Sequence, residues 1–220
     1  MVIPTLDAAD DLPQALEPLA GSRLVSEIIV SDGGSRDDTI AIARAGGARV
    51  VNGRPGRGTQ LAAGAAVASS EWLLFLHADC RLMPGWEDAV AAFLAAPTTA
   101  ERAGYFTLAL DDPGRAARRL ERIVAWRCRA LALPYGDQGL LIARGLYDAV
   151  GGFVPIPLME DVDLVRRLGR RRLMPIPALI VASARRYRGG GYLHRPLRNL
   201  FCLSLYFAGV PPWRIARLYG

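Results

Sequence analysis

The chain contains no lysine, so all 27 of its basic residues are arginine. It also has no acidic residue after Asp163, although 12 arginines follow that position. Because such a one-sided distribution of charge attracts anions, we expect the C-terminal part to meet phosphates, acidic lipid headgroups or nucleic acid. The alternative is that the arginines reflect genome composition, but composition alone would not remove the acidic residues.

Cysteine and long apolar stretches are also scarce. The three cysteines are widely spaced and form no CxxC pair, so neither a zinc site nor a disulfide framework is indicated, and a reducing cytosol is the expected compartment. No basic segment followed by an apolar one marks a signal peptide. Residues 200–210 are the longest late apolar run, shorter than the roughly 20 residues that cross a bilayer. We expect a cytoplasmic protein, with peripheral attachment to the inner face of the membrane as an option.

Several motifs of nucleotide-binding and hydrolytic enzymes are missing. No P-loop, GxSxG or HExxH pattern occurs, and two histidines leave little room for a hydrolase triad. Residues 54–58 are basic and glycine-rich just before a predicted helix, where a phosphate could rest on backbone amides. They do not complete a GxGxxG motif, because Leu61 stands where its last glycine would fall.

Strand-like and helix-like segments alternate along the chain, which predicts βαβ units and a mostly parallel sheet. Strands are predicted at residues 2–6, 27–31, 49–51, 72–77, 104–110, 139–143 and 179–182. Helices are predicted at residues 10–19, 37–45, 59–68, 84–95, 113–131, 160–172 and 196–219, with a break at 209–212. We therefore expect an α/β catalytic domain over residues 1–183 and basic amphipathic helices over residues 184–220.

Acidic residues follow the predicted first, second and fourth strands, at Asp7, Asp32 and Asp79. Ligands of open α/β sheets bind at the carboxyl ends of the strands, so these three carboxylates should converge at one edge. Asp32 precedes Gly33 and Gly34, which allow a ligand to approach the backbone, and its carboxylate can accept hydrogen bonds from a ribose or base. Asp79 ends the most apolar strand and suits a hard divalent cation. The alternatives are a capped turn at Asp32 and a helix cap at Asp79.

Three carboxylates, those of Glu160, Asp161 and Asp163, lie at the predicted start of a helix. Favourable interaction with the helix dipole is one explanation. Five arginines follow them, at positions 166, 167, 170, 171 and 172. That arrangement also suits a general base held near cations that neutralise a phosphate.

Four segments, in this order, resemble the family-2 glycosyltransferases. They are residues 2–6 (VIPTL), 27–35 (EIIVSDGGS), 77–79 (HAD) and 160–161 (ED). Residues 135–139 (YGDQG) and 157–161 (PLMED) resemble more narrowly a small bacterial subgroup often labelled radical-SAM/selenodomain-associated transferases. The resemblance extends over nearly the whole chain.

The resemblance implies a GT-A fold, which is Rossmann-like with a mixed, mostly parallel sheet flanked by helices. It implies a UDP- or GDP-type sugar donor, a divalent metal (Mg or Mn) and inversion at the anomeric carbon. Asp79 would bind the metal, Asp161 would be the catalytic base with Glu160 beside it, and Asp32 would contact the nucleotide. Further substrate or nucleotide contacts are expected from Pro4, Thr5, Asp7, Gly33, Gly34, Arg57, Gln60, His77, Ala78, Asp137 and Gln138.

The chain departs from the family pattern at four places. Asp7 and Ala8 replace the usual Asn-Glu after the first strand, Gly33 replaces the second Asp of a DDGS-type motif, and His77 replaces the first Asp of DxD. The QxxRW signature of processive members is absent, with only RRY at residues 185–187 nearby, which argues against a polymer synthase.

The expected function is therefore a metal-dependent, non-processive transfer of sugar to an unidentified hydroxyl acceptor. One alternative is a nucleotidyltransferase, but residues 5–10 lack the glycine-rich basic signature that it requires. Another is a non-catalytic module that binds a sugar nucleotide or a membrane surface. Nucleic acid is not an expected partner, because the basic tail has no recognised binding motif.

The tail also carries an apolar stripe at roughly helical spacing, formed by Leu197, Leu200, Phe201 and Leu205. A helix with this stripe and flanking arginines could rest on an anionic membrane surface. It could equally pack onto the catalytic domain or onto a second subunit of a homodimer.

Overall fold

The fold is built on a central sheet of eight strands. The computed structural model describes residues 1–219, and position 220 of the predicted C-terminal segment lies outside the described residues. The strands are β1 (Val2–Thr5), β2 (Ile29–Asp32), β3 (Arg49–Asn52), β4 (Trp72–Phe75), β5 (Cys80–Leu82), β6 (Ala103–Leu110), β7 (Leu140–Ala143) and β8 (Leu173–Ala182). Their spatial order is β3-β2-β1-β4-β7-β6-β8-β5.

The sheet is parallel in its first half and mixed in its second. Strands β3, β2, β1 and β4 run parallel to one another, as do β6 and β8. Strand β7 runs antiparallel to β4 and β6, and β5 runs antiparallel to β8. The predicted α/β fold with a mixed, mostly parallel sheet is confirmed, and the carboxyl ends of β1, β2 and β4 lie at one edge.

Helices cover the sheet and extend beyond it. They are α1 (Leu12–Leu16), α2 (Thr39–Ala45), α3 (Arg57–Val67), α4 (Trp86–Ala95), α5 (Arg115–Leu131), α6 (Arg144–Ala149), α7 (Glu160–Leu168), α8 (Arg185–Gly190), α9 (His194–Phe207) and α10 (Pro212–Tyr219). Short 3-10 turns cover Glu17–Leu19, Thr99–Glu101 and Arg170–Arg172. The core is formed around fully buried strand residues such as Ile3, Leu73 and Ile142. Within residues 1–219, no helix is long and apolar enough to cross a membrane.

The structure differs from the sequence-based expectation at several element boundaries. Strand β8 begins at Leu173, earlier than predicted, although it contains Pro175 and Pro177. Proline is tolerated there because β5 pairs only with the later residues of β8, which leaves the first half of β8 at an edge that needs no amide donor. The predicted helix over residues 160–172 ends at Leu168, because Gly169 adopts a positive φ of 73°. Strand β5 and helices α6 and α8 were not predicted.

The C-terminal helices pack onto the rest of the molecule through one face. Cys202, Leu203 and Ile215 form a buried cluster with Met159 and Val162 at the start of α7. The opposite face is open, since the apolar side chains predicted to form a stripe remain largely exposed at three of four positions. Helix α9 therefore contacts the predicted catalytic segment directly.

Helix α3 approaches the segment before α7 unusually closely at Gly58. A Cβ atom at position 58 would lie 2.4 Å from the carbonyl oxygen of Val154 and 3.1 Å from the Cβ of Glu160. Only glycine permits this separation, because a backbone carbonyl cannot move aside without shifting its neighbours. The close approach places the adjacent Arg57 beside the first turn of α7.

Gly58→Ala is expected to destabilise the fold by about 1–3 kcal/mol, as overpacking does in a well-packed interior. The clash should outweigh the roughly 1 kcal/mol that alanine otherwise gains over glycine inside a helix. Gly145→Ala in α6 is the matched control, because an added Cβ there meets no atom within 4 Å among residues 1–219. Urea unfolding measures both. An unchanged midpoint for Gly58→Ala would show that α3 and the loop separate at little cost.

Candidate active site

Three ionisable side chains from two loops meet at the carboxyl end of β4. His77 and Asp79 follow β4 directly, and Asp137 lies in the loop between α5 and β7. One ligand atom from each lies within 4.8 Å of the others, and His77 Nδ1 is 3.0 Å from Asp137 Oδ1. The sequence predicted Asp79 alone as the metal ligand and assigned the other two to substrate, whereas the structure brings all three together.

The charges of this cluster influence one another strongly. Burial and the charge of Asp137 raise the pKa of Asp79. Burial also raises the pKa of Asp137, but the hydrogen bond and charge of His77 and the charge of Arg57 outweigh it and bring the value to about 2. Burial lowers the pKa of His77, yet the hydrogen bond to Asp137 raises it overall. His77 therefore stabilises the negative charge of Asp137 more than that of Asp79.

This donor set fits a divalent cation. Carboxylate oxygens suit Mg and Mn, and an imidazole nitrogen is a ligand that transition metals accept more readily than Mg does. Burial and the charge of Asp137 both raise the pKa of Asp79, and a bound cation would favour its charged form. The prediction of a site for a divalent metal is confirmed to this extent, since the residues form a cluster able to hold one.

A second charged group lies at the start of α7. The buried Glu160 forms an ion pair with Arg57 Nε, and Asp161 Oδ2 is 3.6 Å from Arg57 Nη2. The same Asp161 oxygen accepts a hydrogen bond of 2.9 Å from the backbone N–H of Gly136, whose positive φ of 72° is suited to glycine. Asp161 is thereby connected to the loop that carries Asp137.

The two neighbouring carboxylates differ in their access to solvent. The side chain of Glu160 is 1% exposed, and its Oε2 has no hydrogen-bond partner among residues 1–219. The side chain of Asp161 is 16% exposed and lines the main cavity. Asp161 is consequently the carboxylate that a substrate can reach, and Glu160 orients Arg57 from behind.

The cavity in front of these residues has a volume of about 980 Å³. Its polar end is lined by Arg57, Asp79, Asp137, Asp161 and Arg186. Asp79 also lines a second cavity of about 260 Å³, together with residues of the α1 and α8 regions. Asp79 therefore borders two cavities.

Asp32 lies at the end of β2, as the sequence predicted, but its carboxylate is engaged inside the protein, and its contact with a nucleotide stays a prediction. It is fully buried, and its carboxylate accepts hydrogen bonds from the Thr5 hydroxyl at 3.0 Å, from the backbone N–H groups of Gly34 and Ser35 at 2.8 Å each, and from the Ser35 hydroxyl at 2.5 Å. Four bonds occupy the acceptor capacity of a carboxylate. In this conformation Asp32 stabilises the loop after β2 from within.

Two glutamines assigned to substrate binding are likewise engaged inside the protein. The amide of the buried Gln60 donates to backbone carbonyls at the ends of β1 and β2, at 2.6 and 2.8 Å. The buried Gln138 accepts a hydrogen bond from Arg127 at 2.9 Å and donates to the carbonyl of Phe106 at 3.2 Å. Both side chains hold loops in place, and their role toward a substrate stays a prediction.

The remaining predicted contacts lie at the same edge of the sheet but outside both cavities, within the described part of the chain. Pro4 and Ala78 are buried beside the loops after β1 and β4. Asp7 is exposed and accepts a hydrogen bond of 2.8 Å from the backbone N–H of Arg36. Gly33 is closely packed: a Cβ atom at this position would lie 3.1 Å from the Cα of Pro55 and 3.2 Å from the side chain of Gln60. The predicted convergence of carboxylates is therefore partial.

Arg186 of α8 is a site residue that the sequence did not identify. It lines the cavity beside Asp79 and Asp137, and its charge lowers the pKa of both. It forms no ion pair with any other residue between positions 1 and 219. The signals in the sequence are its place in the arginine-rich tail and in the RRY segment at residues 185–187, which was used only to argue against a polymer synthase.

Comparison with known proteins identifies the class. Residues 1–122 match the model of glycosyl transferase family 2, so the chain belongs to that family and is a glycosyltransferase. Among curated proteins, none has a matching sequence. Assignment to the radical-SAM-associated subgroup stays a prediction.

Solved structures match over most of the chain. A complex of glucosyl-3-phosphoglycerate synthase from Mycobacterium tuberculosis with Mn²⁺, UDP and glucosyl-3-phosphoglycerate is 24% identical, covers 96% of this chain and 79% of its own, and has a TM-score of 0.64. The same enzyme with Mg²⁺ and UDP is also 24% identical, covers 96% of this chain and 79% of its own, and has a TM-score of 0.63. S. aureus TarS is 14% identical over 93% of this chain and 39% of its own, with a TM-score of 0.61. At these identities, the likeness shows the fold.

The Arg57–Glu160 pair makes stability depend on pH in a predictable way. Burial and the charge of Asp161 raise the pKa of Glu160, while Arg57 lowers it. Arg57→Met should raise that pKa further, so the folded state resists ionisation of Glu160 and loses stability as the pH rises above the ordinary range of a glutamate. We expect a loss of about 3 kcal/mol at pH 8 and a smaller loss at pH 5, measured by urea unfolding.

The double variant Arg57→Met/Glu160→Gln is the control for this experiment. It removes the buried charge together with its partner, and should therefore be less destabilised and show little of the pH dependence. Equal losses at pH 5 and pH 8 in the single variant would mean that Glu160 does not depend on Arg57 for its charge.

Proposed function

We propose that this chain is a metal-dependent, inverting glycosyltransferase of the radical-SAM-associated subgroup that moves a sugar from a UDP- or GDP-type donor to a hydroxyl acceptor. The observation that carries the proposal is the cluster of His77, Asp79 and Asp137, whose two aspartates line the same cavity as Asp161. The likeness in fold to a synthase solved with Mn²⁺ and UDP supports it. Calorimetry of UDP binding with and without Mn²⁺, described below, tests it.

His77, Asp79 and Asp137 would hold Mg²⁺ or Mn²⁺, which when bound would neutralise the diphosphate and stabilise the charge that develops on it as it leaves. Arg186, which lines the cavity beside this cluster, would add a positive charge on the same phosphates. Asp32 would contribute to nucleotide binding by fixing the loop that presents Gly33 and Gly34. The polar end of the site would thus bind the donor.

Asp161 would act as the base toward the acceptor. Its orientation is set by the Gly136 N–H and by Arg57, and its side chain faces the cavity. It would take the proton of the acceptor hydroxyl, whose oxygen attacks the anomeric carbon opposite the departing diphosphate and so inverts the configuration. Glu160 would be a positioning residue that acts through Arg57.

The arginine-rich residues 184–219 would place the enzyme at the cytoplasmic face of a membrane. Their exposed apolar side chains outside the cavity include Phe201, Phe207 and Trp213, and no acidic residue lies among residues 184–219. Such a surface attracts anionic headgroups with about 1 kcal/mol for each basic residue near the membrane. Flotation with anionic and neutral vesicles distinguishes this location from a homodimer through the same face.

Asp79→Asn is expected to remove metal-dependent nucleotide binding, because it withdraws a charged oxygen ligand from the cluster. Calorimetry with UDP should show binding to the wild-type chain in Mn²⁺ that weakens at least about tenfold without the metal or in the variant, a change of about 1.4 kcal/mol. Asp88→Asn, an equal change of charge at an exposed position of α4, is the control. Metal-independent binding of UDP, or none at all, would contradict the proposed function.

Asp161→Asn is expected to lower kcat by roughly 10²–10⁴-fold, the usual contribution of a general base. UDP release from UDP-glucose with water as the acceptor measures the rate, and the affinity for UDP should change little. Asp163→Asn is the control within the same acidic triplet, because Asp163 bonds to Arg167 and Tyr206 instead of facing the cavity. A similar loss in both variants, or a loss in KM alone, would remove Asp161 from the role of base.

A further inference from the structure

The large cavity continues far beyond the polar residues that a donor would use. From Asp161 and Asp137 it extends as a trough between α5 and α9. The apolar side chains that line the trough include Leu120, Ile123, Trp126 and Leu131 on α5, and Leu197 and Leu200 on α9. The proposed donor explains one end of the cavity and leaves this end without an occupant.

The walls of the trough are exposed to an unusual degree. Ile123 is 60% exposed and Trp126 57% on α5, and Leu197 is 62% and Leu200 60% exposed on α9. Apolar surface gains about 25 cal/mol for each Å² removed from water, so these facing helices favour a ligand that covers them with hydrocarbon. A nucleotide sugar is polar along its whole length and cannot supply that hydrocarbon.

The charges around the trough are of one sign. Arg119, Arg127 and Arg195 line the same cavity, and its acidic residues are confined to the end with the metal cluster and Asp161. An apolar floor with a cationic rim selects an amphiphile that carries a negative group. Leu120 and Leu131 are eleven residues apart on α5, so this wall is about 16 Å long, comparable with an extended chain of roughly a dozen carbons.

We propose that the acceptor is an anionic, long-chain amphiphile whose hydrocarbon lies in the trough and whose hydroxyl reaches Asp161. This inference rests on the proposed function. The acceptor oxygen gives its proton to Asp161 and forms a bond to the anomeric carbon, while the bond from that carbon to the diphosphate breaks and its electron pair leaves with the nucleotide. The trough thereby determines which class of hydroxyl is glycosylated.

A second copy of the chain is a less suitable occupant. Two copies that met through this surface would oppose the arginines of one rim with those of the other, and like charges disfavour such contact. The trough is also continuous with the active-site acids, a connection that a subunit interface does not need. Both features favour a ligand with an anionic group at a defined distance from a hydroxyl.

Dodecyl phosphate and butyl phosphate, each below its micellar concentration, test the proposal as probes of chain length. Calorimetry is carried out on the full chain with UDP and Mn²⁺ already bound. Each methylene that becomes buried should tighten binding about fourfold, so dodecyl phosphate should bind more than about a hundredfold tighter than butyl phosphate. Leu197→Gln/Leu200→Gln should weaken dodecyl phosphate at least about tenfold and leave the affinity for UDP unchanged.

Leu218→Gln is the matched control, because Leu218 is 61% exposed on α10 and does not line the cavity. Equal affinity for the two phosphates, or an equal loss in the Leu218 variant, would overturn the proposal in favour of weak adsorption to the surface. A dimer in sizing experiments that the double variant dissociates would assign the trough to a second copy. If dodecyl phosphate binds and UDP with Mn²⁺ does not, the proposed function itself fails, and the acceptor assignment fails with it.

Discussion

The geometry of the site depends on one ion pair, in which Arg57 lies between Glu160 and Asp161. Glycine at position 58 allows α3 to approach the start of α7 closely enough for this contact. Because Glu160 is buried, it cannot give up Arg57 without leaving a charge in an apolar environment. Arg57 therefore stays in place beside Asp161, and the N–H of Gly136 fixes that carboxylate from the other side. The contact between α3 and α7 thus orients the proposed base, and the Gly136 N–H joins that base to the loop of the metal cluster.

The balance of charge around this contact explains why a cation belongs beside it. Asp79 and Asp137 meet in partial isolation from solvent, and His77 compensates only one of them through its hydrogen bond. Arg57 is already shared by two other carboxylates, and Arg186 stands at the edge of the cavity. The excess of negative charge is thus local to the cluster, although the chain as a whole is basic with a net charge of +6. A divalent cation and a diphosphate, taken together, would complete this balance.

The sequence predicted the sheet and the chemistry of single positions better than it predicted which side chains meet. Asp79 could be assigned to the metal site because it follows the most apolar strand, and an apolar run in the sequence is enough to predict where a buried strand ends. Asp137 could not be joined to it, because their proximity depends on how the loop after α5 packs against the end of β4. Asp32 was recognised as a polar residue at a strand end, but the four donors that surround its carboxylate come together only in the folded loop. Strand β8 was shortened in the prediction because its prolines, at an edge, resemble those of a loop.

The helices of the arginine-rich C-terminal part pack against α7 and form one wall of the cavity. One face of α9 is fixed to α7 by Cys202 and Leu203, so the helix has no freedom to leave the site and rest flat on another surface with that face. The face that remains, with Leu197 and Leu200, is turned toward α5 across the cavity. Apolar side chains on both walls and arginines on the rim create a gradient from hydrocarbon to charge that ends at Asp161. A ligand bound along this gradient would lie with its hydrocarbon in the trough and its hydroxyl at the base, and the C-terminal helices of the protein would then select the acceptor of the transfer.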